Sequence, residues 1–125
     1  MRTMQQRLMG VDDFLREADR LAREQAALEG RTPELDTLLP GEDPGSPLVA
    51  DAARWAARYA ELIERERVLL AAVSGGAEAA DAEAEAELDR YRRGLELRLA
   101  RLELHRRFWL DRCPAGDAGL AAGTR

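Results

Sequence analysis

SPLVADAARWAARYAELIERERVLLAAVSGG runs from Ser46 to Gly76, and its apolar residues recur at three- and four-residue steps. Leu48, Ala52, Trp55, Tyr59, Leu62, Ile63, Leu69, Leu70 and Val73 share one face of a helix. Ser46-Pro47 reads as its start and Ser74-Gly75-Gly76 as its stop. That gives a helix of about 27 residues, or ~40 Å. A second long pattern follows at once, from Ala77 to Arg112, before Pro114. At ~1.5 Å per residue this helix spans about 54 Å. Leu88, Tyr91, Leu95, Leu99, Leu102 and Trp109 form its main stripe, while Leu97, Ala100, Leu104 and Phe108 lie on a second face. A helix with two apolar faces requires two neighbours.

The short glycine turn makes these helices an antiparallel hairpin, spanning 48–113. With the turn centred on Gly75, paired positions sum to about 150. This sets Tyr59 beside Tyr91, Leu62 beside Leu88, Trp55 beside Leu95 and Leu48 beside Leu102. The later helix then overhangs its partner, leaving Leu104, Phe108, Trp109 and Leu110 as an uncovered apolar end. Such a patch marks an interface, with Trp109 as its anchor. The alternative cover is Leu35, Leu38 and Leu39 of the preceding segment, folded back within the chain.

Working toward the N-terminus, residues 30–47 concentrate four of the five prolines (Pro33, Pro40, Pro44, Pro47) and three glycines, and read as a linker. Thr32 and Pro33 carry a helix-start signal that predicts one or two helical turns inside it. Residues 1–29 contain an amphipathic helix built on Val11, Phe14, Leu15, Ala18, Leu21, Ala22 and Leu28, and Gly30 ends it. Residues 114–125 are small, Gly/Ala-rich and expected to be a flexible tail. The predicted fold is all-α: a long antiparallel hairpin with the N-terminal helix packed on it, a three-helix bundle or partial coiled coil.

A chain of 125 residues holds one domain. Alanine supplies 23 of the 57 residues in the hydrophobic set, leaving 34 larger apolar side chains, too few for a deep active site. Arginine provides all 19 positive charges, a bias expected of a GC-rich bacterial genome. A net charge of -5 disfavours binding to nucleic acid through a global basic surface. The longest apolar run, Val68 to Val73, falls well short of the ~20 residues a bilayer requires, so no membrane association is expected. The lone Cys113 and the lack of an apolar N-terminal run point to the cytoplasm.

No arrangement of residues suggests catalysis, so the chain is not expected to be an enzyme, and no cofactor is expected. His105 is the only histidine, and Glu103 lies on the other side of the helix, so no metal site is predicted. Cys113 sits at a helix C-terminus, where the dipole opposes thiolate formation. Glu66 falls at the centre of its helix's apolar stripe, as a polar core residue that sets register or reaches water past the Ala84 side. Arg90, Arg98, Arg101, His105 and Arg112 form a basic stripe beside Phe108 and Trp109. That stripe is a candidate for anion binding, or else an ion-pair face.

Within the segment EAELDRYRRGLELRLARL, Glu85 and Arg92 match two positions of the pattern E-x3-S-x2-R-x3-Q-x3-D, and Asp89, Glu96 and Ala100 stand at the other three. The segment thereby resembles the hairpin helices of actinobacterial anti-sigma factors that bind cyclic di-GMP. The hairpin shape is shared with export-apparatus stalk and chaperone proteins. The reading is a non-catalytic cytoplasmic helical interaction module, an adaptor, chaperone or regulator, working with a protein partner or as a homodimer. The alternative is an Arg-stripe binder of a phosphate-bearing ligand or nucleic acid, such as a regulatory hairpin of anti-sigma type.

Overall fold

The computed structural model of the chain describes residues 8–33, 38–76 and 81–114. Its helices are α1 (Val11–Glu29), α2 (Val49–Gly76) and α3 (Ala82–Leu110). Local chemistry sets each boundary. Gly30 closes α1 in the left-handed region, at φ 70°, where glycine lacks the usual Cβ penalty. Its N–H donates to the Ala27 carbonyl and that of Arg31 to Ala26, the paired bonds of a Schellman cap. Before α2, Ser46 Oγ accepts from the Leu48 N–H and donates to Asp51 Oδ2 at 2.7 Å. Asp81 caps α3 by accepting from the Ala84 N–H at 2.8 Å. That cap is why α3 begins at Ala82 instead of the expected Ala77; residues 77–80 lie outside the described residues.

The helices form an all-α three-helix bundle around an antiparallel hairpin, and α3 continues unbroken through Gly94. α3 is the shared member, with α2 and α1 both packed on it. Leu97, Leu104 and Phe108, from its second apolar face, are buried together with Leu102 and Trp109 from the first.

The hairpin register differs from the expected one. Tyr59 packs, tilted, against the His105 ring and Glu66 pairs with Arg98, so paired positions sum to 164 and not 150. The shift has a physical cause. It brings Trp109 level with Trp55 and leaves no overhang of aromatic residues, at the cost of exposing Tyr91, which is 55% accessible.

α1 runs antiparallel to α3. Phe14 stacks on Phe108 with centroids 4.1 Å apart, and at the other end Glu29 lies against Gly94. Consequently α1 and α2 point the same way, and the segment between them must return along α1, a distance of about 28 Å. The expected linker is therefore a strap across the bundle. Leu38 and Leu39 pack against the core, and Glu42 and Pro44 are buried. Leu35 and the tail 115–125 lie outside the described residues.

Candidate functional site

The strap turns sharply at Leu39-Pro40-Gly41-Glu42. Proline presets the second position, Gly41 takes φ 86° at the third, and the Glu42 N–H donates to the Leu39 carbonyl at 2.9 Å. This is a type II turn. It drives the Glu42 side chain inward, where its accessibility is 0%.

Four donors surround the buried carboxylate. Oε1 accepts from the Tyr59 hydroxyl at 2.5 Å and from the Leu39 N–H at 2.9 Å. Oε2 accepts from Trp109 Nε1 at 2.8 Å and lies 3.3 Å from His105 Nδ1, whose proton completes the set. The His105 ring sits between Phe14, edge-on at 4.8 Å, and Tyr59 at 4.7 Å. The cluster thus ties together the strap and all three helices. Burial pushes the Glu42 carboxyl up, but the hydrogen bonds from His105, Trp109, Tyr59 and Leu39 outweigh it and hold the group below its ordinary value. Burial, together with the bond to Glu42 and that carboxylate's charge, raises the Tyr59 phenol.

A buried carboxylate with these donors clamps the strap in place. Sequence reading missed Glu42. The L-P-G-E signature marks the turn, but only the return path of the strap shows that the glutamate points inward.

The expected interface residues occupy a different place. Trp109 and Phe108 are 0% exposed and Leu104 is 5%, all buried within one chain, and Leu110 is half-buried. Leu38, Leu39 and Glu42 supply the cover that was expected from a partner. The arginine stripe is also divided. Arg98 Nε donates to Glu66 Oε1 at 3.0 Å, His105 faces Glu42, and Arg112 donates to the Met9 carbonyl while lying 3.7 Å over the Phe108 ring. Arg101 acts on Glu29 and Tyr59. Arg90 is exposed. The five do not converge on one anion.

Glu66 is 4% exposed, so it does not reach water; it joins α2 to α3 through Arg98. Its other oxygen has no hydrogen-bond partner among the described residues. Cys113 Sγ donates to the Trp109 carbonyl at 3.5 Å. Among the described residues no three of His, Cys, Asp and Glu cluster as metal ligands, and no helix is long and apolar enough to cross a membrane.

Two surface features remain. Open grooves of about 600 and 440 Å³ flank a ridge of Glu103 and Arg107 on α3. Their rims mix acids and arginines, and Arg67 bridges to Glu103 at 3.0 Å. The other is the far end of the hairpin, which α1 does not reach. There Leu69 is 48% and Tyr91 55% exposed, and Ala82 to Glu87 are all accessible. No protein-family profile, curated protein or solved structure matches the chain.

Proposed function

We propose that this protein is a non-catalytic cytoplasmic interaction module, a small adaptor, chaperone or regulator that works by helix-helix contact with a protein partner or a second copy of itself. The observation that carries this reading is the two-helix arm beyond Glu29. α1 ends against Gly94, and past that point α2 and α3 have no third helix on them among the described residues. Two helices alone leave part of their apolar surface in water, and here that surface includes Leu69 and Tyr91. Groups with chemical potential, namely Glu42, His105 and Tyr59, are sealed and mutually satisfied, which favours a contact role over a reactive one.

The test is a photo-crosslinking residue placed at Leu69 and, as control, at Leu15 on the outside of α1, in the cells the protein comes from. Adducts of discrete mass from position 69 and none from 15 support the reading. Equal labelling from both positions, or none from either, overturns it.

A further inference from the structure

Charge along α3 changes sign at one point. Ala82 to Asp89 carries Glu83, Glu85, Glu87 and Asp89 with no base, whereas Arg90 to Leu110 carries seven arginines against Glu96 and Glu103. The four acids and Arg90 are exposed, and so is Tyr91, which stands directly after the change. Tyr91 also continues the line of Leu95, Leu102 and Trp109 at helical spacing, so it belongs to the core face of α3 at a level where, among the described residues, it stays 55% exposed. On α2, Leu69 and Val73 extend the line of Leu62 and Glu66 in the same way; Leu69 is exposed and Val73 half-buried.

We infer that the arm is the contact between two copies of this chain, paired with their α3 helices antiparallel about a two-fold axis near the Leu88–Asp89 step. This rests on the interaction-module reading and names its partner. The argument is self-complementarity. In a two-fold contact each residue i that meets j is matched by j meeting i. With the axis one residue before the charge changes sign, the acidic start of each α3 faces the stretch from Arg90 onward in the other copy, and every favourable pairing occurs twice. Glu87 then opposes Arg90 of the second copy, and Tyr91 lies beside the axis, where apolar surface is most fully buried. A parallel arrangement sets acid against acid and arginine against arginine. The arm is thus complementary to itself only in the antiparallel sense.

Mass in sedimentation equilibrium, with helical circular dichroism as the check on folding, tests this. At about 0.1 mM, a range where micromolar contacts are populated, the wild type should sediment at twice the chain mass of 13.9 kDa. Glu87→Arg and Arg90→Glu, each alone, should return it to 13.9 kDa with helicity unchanged, as should Tyr91→Ser. Glu87→Arg and Arg90→Glu combined in one chain should restore the dimer, because the charges again oppose across the axis. A wild type that stays monomeric overturns the proposal, as does a dimer indifferent to all three single changes, or single-variant losses with no recovery in the combined one. Crosslinks from position 69 to a different protein, with a monomeric wild type, leave the interaction-module reading standing and remove this one; no crosslinks and no dimer remove both.

Discussion

Glu42 is a charge held out of water by four donors from three parts of the chain. Replacing it with glutamine puts an amide NH2 where two donors expect an acceptor. Breaking a buried charged hydrogen-bond set in this way costs about 2–4 kcal/mol. Denaturant melts of Glu42→Gln should show that loss with little change in helical circular dichroism of the folded state.

The same carboxylate predicts an acid response. Its folded value lies below the ordinary one, so the unfolded chain takes up the proton first as pH falls. Its stabilisation is complete above the unfolded glutamate value of about 4.3 and is lost as pH falls through the lowered folded value. Melting temperature should drop from pH 5 to pH 3, less steeply in Glu42→Gln than in the wild type. Trp109→Ala should cost about 3–5 kcal/mol as a core truncation. A Trp109→Ala protein of wild-type stability would place that ring outside the core. At this scale Trp109 was legible as a residue needing cover, because the sequence shows a large ring on an apolar stripe. Its partner was not, since glutamate is the residue type least expected inside and nothing local distinguishes Glu42 from the surface acids.

Among the elements, α3 carries the most information. Its two apolar stripes announced two neighbours, and α1 and α2 occupy them. The register was not legible, because turn length fixes it only when the turn is short. Here the Asp81 cap delays α3, and the Tyr59–His105 and Glu66–Arg98 pairs set the level. Composition was equally misleading for the strap. The helical turns expected after Pro33 fall largely on residues 34–37, outside the described residues, and what fixes the described part is a type II turn and one buried side chain.

Gly94 offers a direct test of the α1–α3 contact. A Cβ there would meet Glu29 Oε2 at 2.8 Å, the mobile end of a long side chain that swings away at small cost. Alanine in a helix interior gains about 1 kcal/mol over glycine. Gly94→Ala should therefore raise the melting temperature; a fall would show that α1 cannot yield at Glu29.

For the molecule as a whole, stability is distributed unevenly. The end holding Phe14, Tyr59, His105, Phe108 and Trp109 is closed on all sides, whereas Ala82 to Glu87 are exposed. Amide exchange follows such differences. In the monomer, amides of residues 86–90 should exchange much faster than those of 102–109. Uniform protection along α3 would mean the arm is as stable as the base. The all-α class and its long hairpin were readable because helical periodicity is a local property. The return path of the strap, and with it the parallel course of α1 and α2, depends on contacts between residues such as Glu42 and Trp109, 67 positions apart.

That separation bears on how the chain is made. Synthesis proceeds from α1 through the strap and α2 to α3, but α3 is the surface on which α1 and α2 rest. When Phe14 and Glu42 leave the ribosome, neither Phe108 nor Trp109 yet exists. The nascent chain has no native place to store its apolar side chains until α3 emerges, so folding of the bundle waits for that helix. A ribosome that stalls before Trp109 presents an open, protease-sensitive chain.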